Sequence, residues 1–387
     1  MEFKKLGELC SIVSGGTPSR SKVEFWNQGT IPWIKIGNLK GKYVHEADEF
    51  ITQEGLNGSS AKLLPKGTVL YTIFATLGEV GILEIEACTN QAIAGLSIND
   101  SKQLTTDYLY YFLKSKKTYV NDIGRGVAQN NINMSILRNF DIPVPNLIKQ
   151  KEIVSILDKV SFILNKRSKE LQLLDELVKA RFVEMFGDQA TNPKSWYEST
   201  IGEECFYIKD GPHKSLTDIG KENGGHPFIS VRNIVNGYID FSTARYISDE
   251  DYNSAIKKCN PEKGDMLYSK GGTTGVAKLI DIDEKFANWV HVAVLKFDKS
   301  KLNGIFFENM LNGSYCYEQS QHLTKGIVNR DLVLSAMAQI KIYRPPIELQ
   351  NQFADFVQQV DKSKSAIKKS LEETQILFDS LMQKYFS

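Results

Sequence analysis

Several short stretches of this chain bring glycine, hydroxyl, amide and cationic residues together. Ser14-Gly15-Gly16-Thr17-Pro18-Ser19-Arg20 is the first, and Lys35 and Asn38 follow within Ile34-Lys35-Ile36-Gly37-Asn38. Gly124-Arg125-Gly126-Val127-Ala128-Gln129-Asn130-Asn131 has the same chemistry. Further on lie Lys209-Asp210-Gly211-Pro212-His213-Lys214, Ser230-Val231-Arg232-Asn233, Ser269-Lys270-Gly271-Gly272-Thr273-Thr274 and Lys325-Gly326-Ile327-Val328-Asn329-Arg330. Small residues let a backbone approach a partner, amides and guanidinium groups read base edges, and lysines or backbone N–H groups hold phosphates. That chemistry suits nucleic acid. The candidate contacts in the first half are Ser14, Gly15, Gly16, Thr17, Arg20, Lys35, Asn38, Arg125, Gln129 and Asn130. In the second half they are Lys209, His213, Lys214, Ser230, Arg232, Asn233, Lys270, Thr273, Lys325, Asn329 and Arg330. Any one of these loops alone reads better as a solvated turn; their recurrence at matched places favours a binding face.

Other chemistries lack their residues. No G-x-x-x-x-G-K-[ST] phosphate loop is present, and Gly271-Gly272-Thr273-Thr274-Gly275 lies between two strand-like runs, as a hairpin turn does. Pro345-Pro346 follows Arg344 and opens a helix, so it is not the Asp/Asn-Pro-Pro-aromatic pocket that holds a target base. Asp283-Glu284-Lys285 fits the acidic-x-Lys end of a magnesium nuclease site, but no acidic partner recurs in the other half. His45, His213, His226, His291 and His322 are dispersed, with no metal-ligand spacing. No catalytic or metal residue is assigned, and no cofactor is expected in this chain.

The elements that must position the loops come as a repeat. Ile31-Pro32-Trp33-Ile34-Lys35-Ile36-Gly37-Asn38-Leu39 returns as His226-Pro227-Phe228-Ile229-Ser230-Val231-Arg232-Asn233-Ile234, 195 positions later. Lys66-Gly67-Thr68-Val69-Leu70-Tyr71-Thr72 returns 197 positions on as Lys263-Gly264-Asp265-Met266-Leu267-Tyr268-Ser269. Gly126, Ser135, Pro145 and Gln150 return as Gly326, Ser335, Pro345 and Gln350, at an offset of 200. A tandem duplication with a few loop insertions accounts for the drift. Within each copy, β-type runs such as 68–74, 80–85, 91–98 and 290–297 are broken by glycines. An amphipathic helix is expected over about 107–117, after the capping candidates Thr105 and Thr106.

Each copy ends in a stretch without Pro or Gly, Leu147 to Phe186 and Ile347 to Phe386. In the first, Leu157, Val160, Leu164, Leu171, Leu174, Val178 and Met185 alternate at steps of three and four, with Arg167 and Arg181 as polar members. In the second, the same register holds Val357, Val360, Ile367, Leu371, Phe378, Leu381 and Tyr385, with Lys364 and Thr374. Such a seam predicts two long helices, each spanning ~60 Å, that pair with each other as a coiled coil, the alternative being that each binds a separate partner. Two globular heads joined by a helical bar follow, with Gly187 to Ser195 as the turn into the second copy.

Composition sets the outer limits. The chain has 387 residues, 42% of them hydrophobic and 24% charged, which suits two or three soluble domains and excludes a disordered chain. No apolar run reaches the ~18 residues a membrane span needs. Cys10, Cys88, Cys205, Cys259 and Cys316 are odd in number and widely spaced, as free thiols of a reducing compartment are. A cytoplasmic location is expected. The 47 Lys and Arg nearly balance the 46 Asp and Glu, so any contact with a polyanion must come from local patches.

The order of these features resembles the specificity subunit of type I restriction-modification systems. The resemblance rests on the Ser14–Ser19 loop followed by Gly29-Thr30-Ile31-Pro32-Trp33, and on the Lys-Gly-x-x-Leu-Tyr run in both copies. Gly-Val-Ala-Gln-Asn-Asn-Ile (126–132) and the Ile-Pro-Val-Pro junction at 142–145 entering a helix with Gln150 complete it. The second copy departs at Pro212 and at Tyr343-Arg344. The resemblance implies an α+β fold, with two mixed α/β target-recognition domains alternating with two long helices that pair as an antiparallel coiled coil, in a pseudo-twofold repeat. The expected domains are residues 1–146 and 194–346 for recognition, 147–193 for the central spacer and 347–387 for the C-terminal spacer. It also implies double-stranded DNA read as two half-sites, two methyltransferase subunits docked on the helices, and restriction subunits joined through the complex. Methylation and cleavage would belong to those partners, with no membrane involved. Two other classes stand beside this one: a stand-alone magnesium-dependent endonuclease using Asp283 and Lys285, and a coiled-coil adaptor without DNA binding.

Overall fold

The computed structural model describes residues 2–124, 131–326 and 330–387, and the chain divides into two compact units. The first comprises Met1–Lys169 with Lys368–Ser387, the second Glu170–Ile367. Both boundaries fall inside long helices, Leu147–Phe186 and Ile347–Phe386. Each unit therefore contains half of each helix.

In the first unit a five-stranded sheet runs in the order Cys10–Ser14, Ile93–Ile98, Val69–Thr72, Val80–Leu83, Tyr43–Val44. Its pairs are antiparallel except the last, which is parallel. Val69, Leu70, Tyr71 and Thr72 are all buried, as expected of a central strand covered on both faces. A three-stranded sheet places Ile31–Ile34 between Glu49–Ile51 and Cys88–Thr89. The second unit repeats these themes in a four-stranded sheet ordered Cys205–Asp210, Val292–Phe297, Met266–Ser269, Ala277–Leu279. There His226–Ile229 lies between Arg245–Ile247 and Ala287–Asn288. The antiparallel hairpin expected around Gly271–Gly275 is present.

The helix expected near 107–117 is Thr106–Ser115, followed by a separate helix Lys117–Gly124. Thr105 occupies the cap position without a side-chain cap bond. Its backbone N–H donates instead to Gln150 Oε1 at 2.9 Å, so a long-range contact replaces the local cap. Fully buried Gln150 also donates to the carbonyls of Gln103 (2.7 Å) and Pro145 (2.9 Å). Gln350 does the same in the second unit, accepting from Asn303 N at 2.9 Å and donating to the carbonyls of Lys301 (3.0 Å) and Pro345 (2.8 Å). Each glutamine thus ties a long helix to its unit with every amide bond satisfied.

The long helices supply much of each core. In the first unit Tyr108, Tyr111 and Phe112 pack with Leu157, Val160, Phe378, Met382 and Phe386. In the second, Phe306 meets Phe186 at 4.7 Å and stacks on Phe182 at 5.6 Å, with Phe353 completing the group. Every seam residue named from the spacing is buried or half-buried. A second stripe of Phe182, Phe186, Phe353, Met382 and Phe386 lies beside that seam, because a helix end docked on a unit needs an apolar face toward it as well. The first long helix stops at Gly187, whose φ of +81° suits glycine. Two of its last carbonyls, on Met185 and Phe186, accept from Lys194 Nζ (2.9 Å) and Trp196 Nε1 (2.8 Å), so the 187–195 turn closes the helix end.

Candidate nucleic-acid interface

The Ser14–Arg20 loop leaves the edge strand Cys10–Ser14 and is held by its glycines. Gly15 N donates to Ile93 O at 3.0 Å and Gly16 N to Thr89 O at 2.9 Å. A Cβ on Gly15 would lie 2.2 Å from Asn90 O, and one on Gly16 2.3 Å from Ser60 Oγ. Gly16 O accepts from Trp33 Nε1 at 2.9 Å. Close approach within the unit accounts for glycine at both positions. Ser14 is exposed and Thr17 half-buried, the latter donating its hydroxyl to Gln91 Oε1.

Arg20 and Lys35 share one carboxylate. Arg20 Nη2 lies 2.5 Å from Glu49 Oε2 and Lys35 Nζ 2.5 Å from Glu49 Oε1. The Arg20 guanidinium also stacks 3.6 Å over the Trp26 ring. The Lys35 hydrogen bond, with Arg20 adding to it, holds the Glu49 carboxyl below the usual range despite partial desolvation. Asn38 is buried and accepts from Lys35 N at 2.8 Å. Asn233 repeats this role: it accepts from Ser230 N (2.8 Å) and Ser230 Oγ (3.0 Å) and donates to Asp240 O (2.8 Å). Both asparagines shape their turns. Arg232 is exposed and reaches Thr243 O at 2.5 Å.

In the second unit Lys209, His213 and Lys214 are exposed beside buried Asp210. Asp210 is held by Lys258 Nζ at 3.0 Å and Lys270 Nζ at 3.5 Å. Lys270 is only 5% exposed and also pairs with Asp331 at 2.9 Å. It is thus an internal cross-brace; the apolar stem and two carboxylates make burial tolerable. Thr273 and Lys325 are exposed, and the Lys325 backbone exchanges two 2.9 Å bonds with Asp331. Arg330 is half-buried and donates to Gln321 Oε1. Arg125, Gln129, Asn130 and Asn329 lie outside the described residues.

Two features escaped the sequence reading. Glu49 lies in the strand Glu49–Ile51, whose counterpart Arg245–Ile247 pairs alike in the second unit but places Arg245 at the register of Glu49, so repetition does not mark the carboxylate. The hairpin loop at residues 73–79 carries no mark of its own, and only an extension of the Lys66–Thr72 match by a few positions reaches it.

The described residues contain no group of three or more His, Cys, Asp or Glu fit to hold a metal. Asp283 is 86% exposed and salt-bridged to Lys263 at 2.8 Å, which disfavours the nuclease alternative. All five cysteines are free and buried, and burial pushes Cys10, Cys205 and Cys316 up to about 12. No described helix is long and apolar enough to cross a membrane.

The comparisons with known proteins agree with one another. The family model for the type I restriction modification DNA specificity domain matches residues 1–173 and 193–376. The specificity subunit of the type I restriction enzyme MjaIX from Methanocaldococcus jannaschii is 25% identical over 377 residues, covering 92% of this chain and 86% of that protein. That of EcoR124I/EcoR124II from Escherichia coli is 30% identical over 171 residues, 43% of this chain and 42% of that protein. The crystal structure of a type I restriction-modification S subunit from M. genitalium shares the fold, with a TM-score of 0.56 at 18% identity over 100% of this chain and 96% of that one. With the family model matching both 1–173 and 193–376, the chain belongs to the type I restriction-modification DNA specificity subunits.

Proposed function

We propose that residues 1–146 and 194–346 each read one half of a bipartite site in double-stranded DNA. Residues 147–193 and 347–387 set the unread gap by pairing as an antiparallel coiled coil in a pseudo-twofold duplication. Two methyltransferase subunits dock on these helices, restriction subunits join through the complex, and those partners carry methylation and cleavage. The observation that carries this reading is a shared hairpin framework in both units, bonded alike and tipped with unlike side chains. Arg167 beside Ser370 and Thr374 in the first unit, and Lys364 beside Asp175 in the second, support the helix pairing. The reading contacts are drawn from the outward cations and hydroxyls: Ser14, Arg20, Lys35, Lys209, His213, Lys214, Arg232, Thr273 and Lys325.

The recognition regions carry 15 basic against 14 acidic residues in 1–146 and 19 against 19 in 194–346. Phosphate neutralisation supplies non-specific affinity, so most of it must come from the partner subunits. Sequencing of modified bases in a host carrying the system tests the proposal. Two unlike half-motifs separated by a constant unread gap are expected; one continuous motif, or none that depends on this chain, overturns it.

A further inference from the structure

Two hairpin loops of equal length, residues 73–79 and 270–276, connect Val69–Thr72 to Val80–Leu83 and Met266–Ser269 to Ala277–Leu279. Their scaffolds match bond for bond. Glu79 N donates to Thr72 Oγ1 and Val276 N to Ser269 Oγ, both at 2.8 Å. Gly78 N reaches Thr72 O and Gly275 N reaches Ser269 O, both at 3.0 Å. Ile73 N binds Ala92 O and Lys270 N binds His291 O, both at 2.8 Å. Ile132 N donates to Ile73 O at 3.0 Å and Leu332 N to Lys270 O at 2.7 Å. Both loops turn through a left-handed residue at the same place, Ala75 at φ +64° and Gly272 at φ +69°.

On this common frame the side chains are exchanged. The first unit carries the large residue on the hairpin, Phe74, opposite the small Ala92. The second carries Gly271 on the hairpin opposite His291, whose ring stands where a Gly271 Cβ would be, 1.9 Å from Nδ1. Phe74 is 44% exposed, beside exposed Ala75 and Thr76. A lone exposed phenylalanine is ordinary on a protein surface. Here it is held beside a residue in the left-handed conformation that alanine disfavours, on a braced turn whose counterpart carries exposed Thr273. A ring so placed offers apolar area and no hydrogen bond, and the matching group on DNA is the thymine C5-methyl in the major groove.

We propose that Phe74 is a specificity-determining residue of the first unit, contacting a thymine methyl in its half-site. The Gly271/His291 pair occupies the same framework position in the second. This rests on the DNA-reading function proposed above, and the test separates the two. The full chain assembled with its methyltransferase subunits is used to select from a DNA library randomised in both half-sites, as wild type, Phe74→Ala and Phe74→Leu. Phe74→Ala should relax the thymine preference about tenfold at one or two adjacent positions of one half-site, leaving the other half-site unchanged. Phe74→Leu should retain part of it. Deoxyuridine in place of that thymine should weaken wild type and leave Phe74→Ala indifferent. Unchanged preference in Phe74→Ala, equal loss in both half-sites, or equal sensitivity to deoxyuridine overturns the role of Phe74 while the DNA-reading function stands. Failure of the wild-type complex to select a bipartite sequence removes both.

Discussion

Arg167 Nη1 donates to the Ser370 carbonyl at 2.6 Å, a half-buried charged group on a helix carbonyl that already sits in a hydrogen-bonded turn. The same guanidinium reaches Thr374 Oγ1. Arg167 therefore fills a seam position with hydrogen bonds where its counterpart Ile367 fills one with apolar volume. Lys364, the other polar member, meets Asp175 at 2.6 Å, and the Asp175 side chain is 58% exposed.

The two polar members should differ in worth. Charge-assisted bonds shielded from water contribute more than an exposed pair, which is often near zero. Arg167→Ala is expected to cost about 1–2 kcal/mol and Lys364→Ala no more than about 0.5 kcal/mol. Thermal unfolding of the two variants beside wild type checks the order. A larger loss for Lys364→Ala would contradict it.

Glu49 supplies a pH prediction. Its folded carboxyl is held low by Lys35 and Arg20, so its contribution is complete above the unfolded carboxylate value and fades as pH falls through the lower folded one. Glu49→Gln removes that term. Its stability should change less than that of wild type as pH drops below about 4.5, read as the difference between melting temperatures along an acid series. The same change frees Arg20 and Lys35 to meet phosphate. In the assembled complex the salt dependence of DNA binding should steepen, by up to about two units of slope if both cations engage.

The scaffold was more legible than the contacts. Both 40-residue helices were visible because no Pro or Gly interrupts them and their apolar period is long enough to outweigh any local accident. Gln150 and Gln350 stood out by repetition, although only the folded chain shows them bonded to a carbonyl near the preceding helix. The loops were harder. Lys270 and Asn233 have the composition of DNA contacts, yet Lys270 lies between two acids and Asn233 closes a turn. Sequence composition names a side chain's chemistry but not its direction. Phe74 was missed for the opposite reason, since an apolar residue ending a strand-like run looks like core.

The bracing of Lys270 by two carboxylates has a direct consequence. Lys270→Met keeps the stem but withdraws the charge from Asp210, which retains Lys258, and from Asp331. The expected cost is about 2–3 kcal/mol, below that of stripping a buried ion of every partner. Exposed Lys209→Ala should change stability by less than about 0.5 kcal/mol and weaken DNA binding by the complex alike for all sequences. Urea unfolding and binding titrations on both variants separate brace from contact. A Lys270→Met protein as stable as wild type would return Lys270 to the contacts.

Spacing tests the helices as a ruler. Seven residues inserted into one helix add ~10 Å, about three base-pair rises, and keep the seam in phase because seven residues are one seam period. A single insertion puts the helix halves on either side of it out of step, so the Arg167–Ser370 and Lys364–Asp175 contacts could not both form and stability should fall. Matched insertions in both helices, near Lys169 and Lys369, restore every pairing on either side. The doubly extended chain should recover stability and, in the assembled complex, select the same two half-motifs with the unread gap longer by about three base pairs. Selection at the original gap would mean that something other than helix length fixes the distance, whereas loss of both half-motifs would place the reading elements on the helices.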